Sequence, residues 1–225
     1  MTNTNLATPI LINRRKRKTE KRILRKTEIY AINPDKPNIK IIKKAARILK
    51  EGGIIAFPTE TVYGLFTNSL DKNAVKRLYE IKKRPRNKPF TVLINRFSDL
   101  DKFDVKITPY AKKILEKFWP GALTAILKTE EGKKIGFRMP DYRAVSMLLE
   151  ETKLPLFAPS ANLSGKKECV NAKSILSTFN GKIDMIIDAG KSPIGIPSTV
   201  VDLTNDKPKI LREGAIKLED ISVIP

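Results

Sequence analysis

An open, mixed α/β sheet flanked by helices is the fold class this sequence predicts, and three observations predict it. Short apolar runs rich in β-branched residues alternate with stretches of helical spacing. The strand-like runs outnumber the helical ones and follow no repeat, which favours parallel and antiparallel pairs within one sheet. No low-complexity or Pro/Gly linker divides residues 28–225, so they are expected to form a single domain. At 225 residues and 25.4 kDa, the chain can bury a full core.

Residues 1–27 are read as an appended basic arm, with nine Lys or Arg against the single acid Glu20. Such an arm could wrap RNA, address the chain to an organelle or remain a solvated tail. Ile42, Ala45, Ala46, Ile48 and Leu49 have helical spacing, which predicts a helix over 39–50 that Gly52 and Gly53 can stop. Ile54 to Phe57 is a short buried strand, ended by Pro58, which has no amide proton to give a ladder. The polar residues Thr59-Glu60-Thr61 that follow suit a ligand-binding loop better than a core. Asp71 is placed to cap a second helix carrying Val75, Leu78, Tyr79 and Ile81. A β-rich run covers Phe90 to Ile94, and Thr108-Pro109 opens a helix leading to Trp119. Further strands are predicted at 122–127, 135–138, 154–158, 183–187, 198–203 and 208–212, and helices at 141–151 and 171–179.

Composition narrows the chemistry. There is no histidine, which excludes Ser-His-Asp, Cys-His and His-ligated metal sites within this chain. One cysteine excludes an internal disulfide and a thiolate zinc finger. No apolar run is long enough to span a bilayer, so no membrane association and a cytoplasmic location are expected. The formal net charge of +20 calls for polyanionic partners: nucleotide phosphates, RNA or both.

Six polar clusters follow apolar runs: Thr59-Glu60-Thr61, Lys82 to Lys88, Arg138, Ser160-Ala161-Asn162, Ser198-Thr199 and Arg212-Glu213-Gly214. Placed at strand ends, they are expected to converge on one rim of the sheet. Cations, hydroxyls, an amide and glycines with few carboxylates form an inventory for holding an anion. Neither the P-loop nor the dinucleotide glycine pattern is present, so any nucleotide must be held by side chains from several loops.

Seven motifs then occur in order: PTETVYGL (Pro58 to Leu65), Lys82-x-Arg84-Pro85, WPGALT (Trp119 to Thr124), GFRMP (Gly136 to Pro140), PSANLSG (Pro159 to Gly165), PSTVVD (Pro197 to Asp202) and LREGAI (Leu211 to Ile216). Together, over about Lys40 to Ile216, they resemble the YrdC-like threonylcarbamoyl-adenylate synthases. The resemblance implies a twisted sheet with a basic concave face, and a reaction joining L-threonine, bicarbonate and ATP into threonylcarbamoyl-AMP and pyrophosphate. A downstream threonylcarbamoyl transferase would then modify an adenosine of certain tRNAs.

Residue by residue, the resemblance implies catalytic roles for Lys82, Arg84, Ser160 and Asn162. Lys82, Arg84 and Lys88 would contact phosphates, and Arg212 would lie along the nucleotide. Ser160 and Asn162 would bracket the α-phosphate or carbamate. Thr61, Arg138 and Ser198 would seat threonine, with Arg138 as the fork for its carboxylate. Magnesium would arrive with ATP on phosphate oxygens and waters, with no protein metal site.

Leu93 stands where some members carry a threonine-contacting histidine, Lys88 where a smaller polar residue is common, Phe66 where glycine is common, and Ala122 interrupts the Trp-Pro-Gly segment. The C-terminal domain of longer members is expected to be absent. Tyr63 and Trp119 are read as buried aromatics with one satisfied polar atom, and Cys169 as a bystander. Lys43, Lys44, Lys112 and Lys113 are read as solvated helix faces. Asp184 and Asp188 are assigned turn or capping roles, and Asp202 is expected to orient the Ser198-Thr199 loop. The alternative function is a non-catalytic RNA-binding module using the basic concavity. Low aromatic content (7%) without basic-aromatic interleaving weighs against base stacking. A hydrogenase-maturation carbamoyl-adenylate step is excluded, because proteins performing it carry zinc-binding cysteine clusters.

Overall fold

The computed structural model describes residues 26–205 and 207–222. The predicted arm therefore lies outside the described residues, apart from Lys26 and Thr27. Thr27 belongs to the body instead. Its buried hydroxyl donates to the Ile183 carbonyl at 2.8 Å and accepts from the Gly181 amide at 2.9 Å.

Strand β1 (Glu28–Ala31) follows, and the sequence reading missed it because its four residues are mostly exposed. Helix α1 (Ile39–Lys50) has the predicted bounds. The Asn38 side chain caps it by accepting from the Lys40 amide, and Ile42, Ala45, Ala46 and Leu49 are buried. It stops at Gly52, whose φ of +75° favours glycine and where a Cβ would meet Asp71 Oδ2 at 2.4 Å. Strand β2 (Ile55–Phe57) ends before Pro58 as expected. Strand β3 (Gly64–Asn68) was not anticipated, because Gly64 ended a polar stretch read wholly as loop.

Helix α2 (Lys72–Lys82) is capped by the Asp71 carboxylate, which accepts from the amides of Asn73 and Ala74. Strand β4 (Val92–Leu93) is shorter than the β-rich run around it. A 3₁₀ segment (Phe97–Phe103) and β5 (Val105–Lys106) complete a connection that gave no periodic signal. Helix α3 (Pro109–Phe118) has Thr108 as its cap and proline at its start. The remaining elements are β6 (Leu123–Thr129), β7 (Lys134–Arg138), α4 (Arg143–Thr152), β8 (Leu156–Phe157), α5 (Ala172–Phe179), β9 (Met185–Asp188), β10 (Thr199–Asp202), β11 (Lys209–Arg212) and α6 (Leu218–Ser222). All but α6 overlap a predicted element. None of the described helices is long and apolar enough to cross a membrane.

The strands form one mixed sheet in the order β1-β9-β2-β3-β8-β4-β7-β6-β10-β11, with β5 on β6. Side chains of paired residues share a face, so the registers divide the sheet into two sides. Val92, Phe137, Ala125 and Val201 are brought into line by the β4–β7, β7–β6 and β6–β10 registers, and they pack against Ala111, Ile114 and Leu115 of α3. Farther along that side, Ala56, Leu65 and Ile186 pack against α2 and α5 through Leu78, Ile175 and Phe179. On the opposite side, Ile55, Phe66, Leu93, Leu156 and Met185 pack against α1 and α4. The rest of that opposite side is formed by β7, β6, β10 and β11, and there a cavity opens.

Candidate active site

The floor of this cavity follows from strand alternation. Arg138 is in register with Thr124, Gly136 with Ile126, Thr124 with Val200, and Val200 with Arg212. All of these residues line a cavity of about 380 Å³, within the range of small-molecule clefts. The walls come from Thr59, Val62 to Gly64, Arg84, Asn87 to Thr91, Ala158 to Ser160 and Pro197-Ser198. The expected convergence on a rim of strand ends needs correcting. Because β6 and β7 are antiparallel, the end of β7 carrying Arg138 meets the beginnings of β6 and β10. The site lies on the sheet's open face and includes mid-strand residues.

Of the predicted site residues, Arg84, Lys88, Arg138, Ser160, Ser198 and Arg212 line this one cavity. Thr61 joins them through Arg138, whose Nη2 donates to Thr61 Oγ1 at 2.7 Å. Neither Asn162 nor Lys82 stands on the lining. At the buried end of α2, Lys82 Nζ donates to the carbonyls of Ser160 (2.5 Å) and Asn162 (2.7 Å) and to Asn162 Oδ1 (3.0 Å). Those three acceptors take its three protons, so Lys82 reaches the site by holding the Ser160–Asn162 loop instead of touching the cavity. Burial pulls its ammonium down to about 7, a fall the nearby Arg84 charge reinforces and Glu168 and Cys169 oppose. Ser160 Oγ donates to the same Asn162 Oδ1 at 2.9 Å, and Asn162 Nδ2 to the Lys166 carbonyl. The loop is thus fixed from both ends.

Arg84 holds its own loop. Its Nε donates to the Lys88 carbonyl at 2.9 Å and its Nη2 to Pro89 at 3.0 Å, with the guanidinium 5.3 Å from the Phe90 ring centre. Tyr79 stacks on Phe90 at 4.2 Å and also donates to the Lys88 carbonyl, at 3.2 Å. Arg212 Nη2 donates to the Ser198 carbonyl at 2.7 Å, and Ser198 Oγ shares a hydrogen bond with Thr124 Oγ1 at 2.8 Å. Desolvation lowers both the Arg84 and Arg212 guanidiniums; at Arg212 the Glu168 charge opposes the fall and the Arg138 and Arg84 charges add to it. An arginine starts high enough to stay charged despite this. With Arg138 and Lys88, four basic side chains therefore face one hollow, which calls for an anion.

Asp202 does not orient the Ser198-Thr199 loop. It pairs with Lys134 at 2.8 Å and caps Thr204. Thr199 does the work instead: its Oγ1 donates to the Ile216 carbonyl and accepts from the amides of Gly214 and Ile216. Gly214 lies so close that a Cβ would meet the Pro197 carbonyl oxygen at 2.2 Å and the Ser198 carbonyl carbon at 2.7 Å. Gly214→Ala is expected to cost about 1–3 kcal/mol of stability through this backbone clash; thermal unfolding of the variant checks it.

Sequence reasoning gave Glu60 no role of its own, although it stood in the first polar cluster. It is buried, and its Oε1 accepts from Arg138 Nη2 at 2.7 Å and from the Asp141 amide at 3.3 Å. Leu93 is buried against α1 and α4 and contributes to the core. Tyr63 borders the cavity, but it is fully buried and its hydroxyl is engaged by the Gly190 carbonyl and the Ala189 amide. Trp119 Nε1 donates to the Leu123 carbonyl at 2.9 Å. Cys169 is buried, and burial pushes its thiol up, away from the reactive thiolate. Asp184 pairs with Arg77 and accepts from the Ile54 amide, and Asp188 caps Gly190. Lys43, Lys112 and Lys113 are exposed, whereas Lys44 is engaged by the Glu28 carboxylate and the Tyr30 hydroxyl.

Among the described residues, none that lines the cavity is an Asp or Glu. This donor set suits the oxygens of a phosphate chain and does not fit a resident divalent cation, which takes carboxylate or carbonyl oxygens.

Comparison with known proteins places the chain. The Sua5/YciO/YrdC family, described as telomere recombination, matches residues 47–214. The chain belongs to that family. A relative from Methanocaldococcus jannaschii, a putative threonylcarbamoyl-AMP synthase, is 33% identical over 87% of this chain and 95% of its own length. The threonylcarbamoyl-AMP synthase of Pyrococcus abyssi is 41% identical over 81% of this chain. The crystal structure of P. abyssi Sua5 complexed with L-threonine superposes with a TM-score of 0.83 at 39% identity, over 88% of this chain and 61% of that one. The chain spans 56% of the length of the P. abyssi and Bacillus subtilis synthases it matches. The family's fold, a mixed sheet flanked by helices, is the one the sequence predicted.

Proposed function

We propose that this chain is an L-threonylcarbamoyladenylate synthase, a nucleotidyltransferase that condenses L-threonine, bicarbonate and ATP and releases pyrophosphate. One observation carries the reading: Arg84, Lys88, Arg138, Arg212, Ser160 and Ser198 share one cavity that, among the described residues, no carboxylate lines. The names of the synthase relatives, and the threonine held by the P. abyssi protein, support it.

The chemistry suits such a site. The threonine amine and bicarbonate give a carbamate with loss of water, and a carbamate oxygen attacks the α-phosphorus in line with the departing pyrophosphate. The step requires positioning and charge neutralisation rather than a protein nucleophile, so a chain without histidine can perform it. Arg84, Lys88 and Arg212 would neutralise the phosphates, with magnesium held by phosphate oxygens and waters. Arg138, Thr61 and Ser198 would seat threonine. Ser160, held in place by Asn162 and Lys82, would face the reacting centre. A downstream threonylcarbamoyl transferase would pass the product's acyl group to tRNA, and RNA contact by this chain itself would be weak.

Pyrophosphate release tests this directly. We expect release only when threonine and bicarbonate are both present with ATP. Release that ignores threonine, or RNA binding with no release at all, would overturn the proposal.

A further inference from the structure

The cavity has to distinguish two anionic groups, and its cations alone do not. Arg84, Arg138 and Arg212 all line it, and a guanidinium grips phosphate as readily as carboxylate. Nothing in those three side chains would keep a triphosphate or pyrophosphate from lying across the amino-acid end. One of them differs from the other two. Arg84 and Arg212 donate to carbonyls, which are neutral, whereas Arg138 donates to a carboxylate, that of Glu60, in a buried ion pair at 2.7 Å.

Glu60 is held there at a cost. Its Oε2 is buried and has no hydrogen-bond partner, an arrangement that is unfavourable for a carboxylate oxygen. Its Oε1 accepts only from Arg138 and the Asp141 amide. The pair also consumes donors, because Arg138 Nη2 gives to both Glu60 Oε1 and Thr61 Oγ1 at 2.7 Å. The fork that remains for a ligand is narrowed, and the charge behind it is balanced.

We infer that Glu60 is a specificity-determining residue that divides the basic cavity, cancelling the Arg138 charge so that a zwitterionic amino acid is accepted at that end while a phosphate chain is repelled. The inference rests on the proposed synthase reading for what binds at each end. A zwitterion carries no net charge and loses little from the carboxylate's presence. A pyrophosphate brings several negative charges and meets one more of the same sign. At the Arg84–Lys88–Arg212 end the Glu168 charge reaches Arg212 from outside the lining, but among the described residues no carboxylate is paired with these cations or stands on the lining, so that end stays open to phosphate.

The test is calorimetric titration of inorganic pyrophosphate into the full chain, with and without saturating L-threonine. It needs no turnover, so its failure is separable from failure of the synthase reading. With wild-type protein we expect one equivalent of pyrophosphate, bound equally well whether or not threonine is present. Displacement of pyrophosphate by threonine in wild type would overturn the inference without any variant. In Glu60→Gln we expect pyrophosphate to bind about tenfold more tightly or in a second equivalent, and threonine to compete with it. Glu60→Asp keeps the charge while shortening the reach, so it should retain the wild-type pyrophosphate behaviour even if threonine binds less well. A purely structural Glu60 would move neither competition pattern. Identical pyrophosphate affinity and stoichiometry in wild type and Glu60→Gln, or an Asp variant behaving like the Gln variant, would contradict the assignment.

Discussion

Arg84→Ala is expected to lower threonine-dependent pyrophosphate release by roughly 10²–10⁴, or about 3–5 kcal/mol of transition-state stabilisation. Two losses combine. The guanidinium that faces the cavity disappears, and so do the two hydrogen bonds that tie it to Lys88 and Pro89. Lys88 rides on that loop, so a second phosphate contact loses its anchor. Arg84→Lys separates the contributions, since it restores a charge but not the planar fork that spans both carbonyls. It should recover part of the rate and leave the loop less ordered. Steady-state kinetics on both variants check this, and near-normal turnover by Arg84→Ala would remove the residue from the site.

Lys82→Met should cost at least about 10² in turnover without a comparable loss of stability. The substitution leaves Ser160 and Asn162 carbonyls and Asn162 Oδ1 without the donor they share, so the loop that presents Ser160 to the cavity slackens. It also removes an ammonium from a buried place, which is favourable, and the two effects on stability oppose each other. A pH experiment isolates the charge. Burial lowers the folded-state value from 10.5 to about 7, so between those values the unfolded chain binds a proton that the folded chain binds less well. Stability then rises with pH across that window. Denaturant unfolding of wild type from pH 7 to 10 should show this rise, and Lys82→Met should show less of it. Equal slopes for the two proteins would mean that Lys82 is not desolvated as described.

Much of this was legible in the chain. Helices α1, α2 and α3 were signalled by apolar spacing and by their caps, since Asp71 and Thr108 act locally and a cap needs no tertiary partner to be recognised. Strands β6 and β10 showed as apolar runs because many of their residues are buried. The sequence could not announce β1, β5 and β3: the first two are short and partly exposed, and the third begins inside a polar loop at Gly64.

The site was half legible for a related reason. Which residue types gather was readable from six clusters of cations and hydroxyls, but how they gather depends on register. Antiparallel pairing of β6 with β7 decides that Arg138 faces Thr124 across the floor, and no local signal encodes it. The same limit hid the inward turn of Lys82, the substitution of Thr199 for Asp202 as the loop's organiser, and the pairing of Glu60 with Arg138 across 78 residues. Each is a long-range contact made by a side chain whose type alone allows several partners.

A crystal structure of the protein soaked with a non-hydrolysable ATP analogue and L-threonine tests the central claim most directly. The account predicts both molecules in the one cavity, with phosphate oxygens on Arg84 and Arg212 and the threonine carboxylate on Arg138 beside Thr61. A triphosphate lying on Arg138, or two ligands bound in separate places, would contradict it.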